Sequence, residues 1–193
     1  MTYVHELCHA VAALLSGGYV HNIVIHPNAS GETYTSGGIG WLISSAGYVG
    51  TALIGVLCIQ YMRLHANSRT VLLFFCAIAG WTAYYTGTTS AFGTIVGLGL
   101  AAAFGVVAIS GHILLSELLA AFTSIQLLLN SFYDLKTLLI LSAGYGVHTD
   151  AMNMQQATGI PAIAWAILWL FVSGYAAYRV LLSRNKEQHG IRD

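Results

Sequence analysis

Near the start of the chain, His5-Glu6-Leu7-Cys8-His9 has the residue types and the spacing that zinc chemistry requires. The residues that follow, 10–15, favour helix throughout. On a helix, positions i and i+4 lie one above the other on the same face, so both imidazoles can reach one zinc ion. Glu6 sits beside that face, able to reach a zinc-bound water without ligating the metal. Two neutral imidazoles, a Lewis acid and a carboxylate that takes a proton from water are the parts that metal-assisted peptide hydrolysis uses.

Short motifs arise by chance, and a helix with two histidines and a glutamate can simply be solvated. The surroundings oppose that. The chain has only seven acidic residues, and one of them lies between two histidines on an apolar helix. Burying an ionisable triplet there is costly unless it has work to do.

The elements that position these residues belong to a membrane protein. Charged residues make up 7% of the 193 positions, where a soluble domain carries about 25%, and the mean hydropathy is +0.70. Such a chain lacks the polar groups to cover a water-facing surface, so it reads as a multi-pass protein of the lipid bilayer. The zero formal net charge argues against nucleic acid as a partner. Cys8, Cys58 and Cys76 are scattered through apolar stretches and form no disulfide framework.

In order, the pattern predicts a first helix over residues 3–16, stopped by Gly17-Gly18. It is too short to span, since a spanning helix needs about twenty residues; either it enters the membrane only partway or, as is preferred here, the sequence is a fragment whose start lies upstream. A β-hairpin follows over residues 19–35, turning at Pro27-Asn28-Ala29-Ser30-Gly31. Apolar helices are expected at 39–62, 70–86, 90–109 and 113–129. In the first of these, Ala46 and Gly50 form a small-xxx-small pair that lets another helix approach closely. Asn130 to Lys136 is expected to break the apolar run, which resumes to Leu141, although the segment around Asp134 can also continue the preceding helix, with Leu135, Leu138 and Leu139 as its apolar face. A looser stretch follows over 142–149, then a short helix over 151–157 that Asp150 can cap. The last spanning helix, after Thr158-Gly159-Ile160-Pro161, runs to Leu182. The fold expected is all-α, a multi-pass bundle of about five to six transmembrane segments with a small hairpin after the first helix. Residues 1–183 form a single domain and 184–193 a polar basic tail. If Arg63 and Arg69 face the cytoplasm, the span count puts the tail on the same side.

A catalytic zinc needs a third protein ligand. Asp134 and Asp150 are the leading carboxylates, with Glu117, His112 and His148 behind them. Glu117 and His112 are read as a possible pair or as residues near the membrane surface. His21, His26 and His65 read as loop or interface residues, and His189 as tail.

The chain resembles the site-2-protease family of intramembrane zinc metalloproteases, in its small multi-pass branch. The resemblance is carried by His5-Glu6-Leu7-Cys8-His9-Ala10, by Gly17-Gly18 with the hairpin after it, and by Ser45-Ala46-Gly47-Tyr48-Val49-Gly50. It continues from Asp150-Ala151 through Thr158-Gly159-Ile160-Pro161 to Trp165. It implies that His5 and His9 bind zinc, that Glu6 is the general base, and that an aspartate from a later, interrupted segment completes the ligands. The family's aspartate usually stands in an Asp-Gly pair with an asparagine upstream. Asp150-Ala151 matches best, with Asn130 as the asparagine, expected to bind substrate. Ala151 departs from the pattern, and Asn130 lies further upstream than usual, so Asp134 stays a competitor. Cys8 is expected to be a small buried residue, since a thiolate ligand would close the site to water.

The expected activity is hydrolysis of a peptide bond in a transmembrane protein substrate. The hairpin could hold the unwound substrate as an added strand, or serve simply as a cover. The alternative is an inactive protein of the same fold that binds or regulates membrane helices. A zinc-handling or transport role is a third class. Intact Glu6 separates these, because a binder does not need it.

Overall fold

The computed structural model describes residues 1–87, 89–143 and 149–182. The polar tail and His148 therefore lie outside the described residues, as does most of the looser stretch.

Helix α1 (Thr2–Leu15) ends where expected: Gly17 takes φ +81°, and the Gly18 amide donates to the Ala13 carbonyl at 2.8 Å. A left-handed residue there is cheap for glycine alone. Strands β1 (Tyr19–Ile25) and β2 (Gly31–Ser36) pair antiparallel, Ile23 opposite Thr33, with an irregularity between Val20 and Asn22. Ile23 and Ile25 bury against α1 beside Tyr3, Ala10 and Ala13. The outer edge of β1 is covered: the Thr89 hydroxyl donates to the Ile23 carbonyl at 3.0 Å and Ser90 to Ile25 at 2.6 Å. The outer edge of β2 has no strand partner among the described residues.

Six more helices follow: α2 (Gly40–His65), α3 (Ser68–Thr86), α4 (Ala91–Ile109), α5 (Ile113–Ala143), α6 (Asp150–Thr158) and α7 (Ala162–Leu182). The protein is a helical bundle with one small hairpin. Among the described residues four helices, α2, α4, α5 and α7, are long and apolar enough to cross a membrane. Helix α3 has 19 residues but begins with Ser68-Arg69-Thr70 and ends with Tyr84-Tyr85-Thr86, polar groups that dilute its apolar middle. Leu57, Ile95, Phe122 and Phe171 stand exposed on the four apolar helices, as a lipid-facing surface requires.

Two cores hold the bundle. Val4, Leu7 and Cys8 of α1 pack with Leu72 and Phe75 of α3 and Leu127 of α5, while Leu135 and Leu138 of α5 pack with Met154 of α6 and Trp169 of α7. Arg63 donates to the carbonyl of Val180 and Arg69 to that of Gly111, each at 3.3 Å. The α2–α3 turn, the α4–α5 turn and the end of α7 therefore share one end of the bundle, and both arginines lie on it.

One expected break is absent. Helix α5 runs unbroken through Asn130 to Lys136. That stretch has no glycine or proline, and the Ser131 hydroxyl donates to its own helix's Leu128 carbonyl at 2.7 Å, so its polar residues are absorbed without ending the helix. The interruption falls later, between α5 and α6. There Thr149, not Asp150, is the cap: its hydroxyl accepts from the Met152 amide at 3.2 Å. Asp150 is thereby left free to point elsewhere.

Candidate metal centre and active site

His5 and His9 lie one turn apart on α1, with their Nε2 atoms 3.0 Å from each other. Asp150, the first residue of α6, brings Oδ2 to 3.5 Å from His5 Nε2 and 3.3 Å from His9 Nε2. Ligand atoms on a tetrahedron about 2.05 Å from zinc are about 3.3 Å apart. The three observed separations bracket that value, so the donor set fits the ion. His9 Nδ1 donates to the Ile43 carbonyl at 2.6 Å, which turns its Nε2 towards the cluster.

Helix α2 leaves room at this point. A Cβ added to Gly47 would run into Nε2 of His9 and lie 2.6 Å from Nε2 of His5. Glycine at that position keeps the space beside both nitrogens clear. The next residue, Tyr48, sets its ring edge-on to His5, centroids 4.7 Å apart, and stacks on Trp169 of α7 at 5.6 Å. Trp169 in turn donates its indole N–H to Ser45 Oγ at 3.2 Å. The ring of His5 is thus braced from two helices.

Glu6 is buried at 4% exposure and its Oε2 accepts from the Thr33 hydroxyl of β2 at 2.6 Å. Its carboxylate and the three clustered side chains open on one cavity of about 670 Å³. Residues 31–35 of β2 line one part of that cavity, and Thr149, Asp150 and Asn153 of α6 another. Gly47 is seven residues into α2, about 10 Å along its axis from the hairpin end.

Burial pushes the Asp150 carboxyl up, but the two imidazoles outweigh it and hold the group well below the usual carboxylate range. Burial likewise lowers His9, and the Asp150 carboxylate outweighs it, raising His9 to about 9.

Of the residues singled out from the sequence, His5, Glu6, His9 and Asp150 converge on this cavity. Asp134 does not join the cluster. It stays half-buried in the body of α5, about two and a half turns before the helix ends. Asn130 is not brought to the cavity either. The unbroken α5 carries it to a separate cavity of about 190 Å³, beside Met1, Tyr3 and Val4. Cys8 faces α2 at Gly50, where an added Cβ would meet its Sγ at 2.8 Å, and it is not a member of the cluster. Glu117 and His112 form no ion pair among the described residues, and Glu117 shares a pocket with Arg63 instead. His21 bonds Ser36, and His65 stacks on Tyr61.

Three site residues were given no role of their own in the sequence reading, although Gly47 lies in a stretch that carries the resemblance. Asn153 lies one turn after Asp150 on the same face, a spacing visible in the sequence once Asp150 heads a helix. Gly47 and Thr33 carried no such signal, because only the packing of α1 on α2 and on β2 brings them to the motif.

Two histidines and an aspartate thus converge beside a buried glutamate in a bundle of apolar helices. A family model described as Peptidase M50B-like matches residues 1–180, and the chain belongs to that family. No curated protein and no solved structure matches the chain.

Proposed function

We propose that the protein is a zinc-dependent endopeptidase that hydrolyses a peptide bond of a membrane-embedded protein. The observation that carries this reading is the convergence of His5 Nε2, His9 Nε2 and Asp150 Oδ2 within 3.0–3.5 Å of one another, in the cavity that Glu6 shares.

His5, His9 and Asp150 would hold the ion. When bound there, zinc supplies a Lewis acid for the scissile carbonyl and lowers the pKa of water towards neutrality. Glu6 takes the proton from the attacking water as its oxygen bonds to the carbonyl carbon, and returns it to the amine as the C–N bond breaks. Thr33 fixes the Glu6 carboxylate through one oxygen and leaves the other available. The Asn153 side-chain amide, without a hydrogen bond among the described residues, is available to a substrate peptide group. The free edge of β2 runs along the cavity while the edge of β1 is capped. That asymmetry supports the added-strand reading, in which an unwound substrate satisfies its backbone groups on β2.

The test is a paired measurement on protein reconstituted in vesicles: bound zinc, and cleavage of a transmembrane substrate. Glu6→Gln should keep the metal and lose roughly 10²–10⁴-fold in rate. Unchanged turnover in that variant would overturn the assignment of Glu6, and absence of turnover in the zinc-loaded wild type would favour a binder of membrane helices.

A further inference from the structure

The residues of β2 that touch Glu6 are also the ones whose main chain faces the open edge. In an antiparallel pair, residues directly opposite each other alternate: one pair exchanges its N–H and C=O bonds, and the next turns those groups outward. The Ile23 and Ile25 carbonyls of β1 are turned outward, since they accept from the Thr89 and Ser90 hydroxyls. Their partners on β2 are Thr33 and Gly31. The main-chain groups of Thr33 and Gly31 are therefore the ones turned to the open edge of β2.

The same two residues enclose the carboxylate. The Thr33 hydroxyl donates to Glu6 Oε2 at 2.6 Å and lies 3.1 Å from the Glu6 carbonyl oxygen. Gly31 lies against the other oxygen, where an added Cβ would be 2.7 Å from Oε1 and 2.8 Å from Cγ. The two strands differ in anchorage. Val20, Ile23 and Ile25 bury β1 in the core, whereas no residue of β2 is buried. A two-stranded ribbon is marginally stable, and a third strand steadies it. The carboxylate thus depends on the strand that a third strand would steady.

We infer that Gly31 and Thr33 are positioning residues that couple substrate docking to the general base: main-chain bonds from a substrate strand to these two residues fix β2, and β2 fixes the Glu6 carboxylate. A chain paired on this edge runs through the cavity that Glu6 shares with His5, His9 and Asp150, so the occupant is the peptide to be cut. The inference rests on the peptidase reading and adds that docking raises turnover as well as affinity. The coupling is reciprocal, so a strand that holds the carboxylate is also held by it.

Reciprocity allows a test without hydrolysis. The probe is a leucine-rich transmembrane peptide with a central Gly-Val-Thr-Val-Gly segment, added to zinc-loaded protein in phosphatidylcholine vesicles. Docking is read by mass spectrometry as slowed amide exchange in β2. In Glu6→Gln protein, whose side chain still accepts from Thr33, Thr33→Val should weaken docking roughly three- to tenfold. In Glu6→Ala protein, where Thr33 has no such partner, the same substitution should change docking little. An equal effect in both backgrounds, no effect in either, or no protection of β2 by the peptide would overturn the inference. The second measurement is cleavage of the same peptide by protein with Glu6 intact. Thr33→Val should keep its zinc and lower kcat roughly 10- to 100-fold, Thr33→Ser should restore most of it, and Gly31→Ala should lower kcat as well. A rise in KM with kcat unchanged would overturn the coupling. Absence of cleavage by the wild type would instead count against the peptidase reading, and the docking comparison would still decide the coupling.

Discussion

Gly47→Ala is the most informative single change at the site. Elsewhere in a helix the substitution is favourable by about 1 kcal/mol, since alanine costs less backbone entropy. Here the new Cβ would lie 2.6 Å from His5 Nε2 and closer still to His9 Nε2. An ordinary contact needs about 3.5 Å, so one or both imidazoles must retreat by about 1 Å. Zinc ligands hold their distances to about 0.2 Å, and a retreat of that size removes at least one ligand. If about 10–16 kcal/mol of zinc binding is shared by four ligands, one ligand is worth roughly 2.5–4 kcal/mol, a loss of about 10²–10³-fold in affinity. Zinc affinity is read by competition with a chromophoric chelator, and folding by thermal denaturation of the metal-free protein. Gly99→Ala is the control, because a Cβ there meets nothing within 4 Å. Wild-type zinc affinity in Gly47→Ala would refute the view that the space above Gly47 is kept clear for the metal.

Asp150→Asn should weaken zinc binding by about the same factor, and Asp134→Asn should change it far less; the reverse order in elemental analysis would move the third ligand to α5. Zinc binding should also release protons. In the metal-free protein burial lowers His9 but the Asp150 carboxylate raises it to about 9, so at pH 7.5 the ring holds a proton that a ligand must give up. Calorimetric titration in buffers of different ionisation enthalpy should report about one proton or more per zinc at pH 7.5. The release from His9 should fade above pH 10 and should shrink in Asp150→Asn, where burial is opposed only by the Glu6 carboxylate and the bond to the Ile43 carbonyl; no release at pH 7.5 would contradict the geometry.

Much of this was legible in the sequence because it rests on local periodicity. The i, i+4 spacing of His5 and His9, the glycine stop after α1, and the turn cluster of the hairpin each act within a few residues, and each is found where the pattern puts it. The pattern leaves both a break and a continued helix open through Asn130 and Asp134, because polar residues look like a boundary. Inside a membrane helix they are tolerated when hydroxyls bond back to their own carbonyls or when the side chain faces a cleft. Thr149 was overlooked as a cap for a related reason: aspartate and threonine both cap well, and only the structure decides which of two neighbours is in the cap position. Contacts set by tertiary packing left no trace in spacing. Gly47 against the imidazoles, Thr33 on Glu6, and Tyr48 between His5 and Trp169 join elements that are far apart along the chain.

The central claim, that Glu6 and the cluster of His5, His9 and Asp150 hydrolyse a peptide bond inside the membrane, is tested most directly by mass spectrometry of the cleavage products formed in H₂¹⁸O. Zinc-loaded wild-type protein in vesicles should cut a transmembrane substrate within its apolar segment and place one ¹⁸O in the new carboxyl group. Glu6→Gln protein carrying equal zinc should give no such product above about one hundredth of that rate. No product from the zinc-loaded wild type, or the same labelled product at the same rate from Glu6→Gln, would contradict the account.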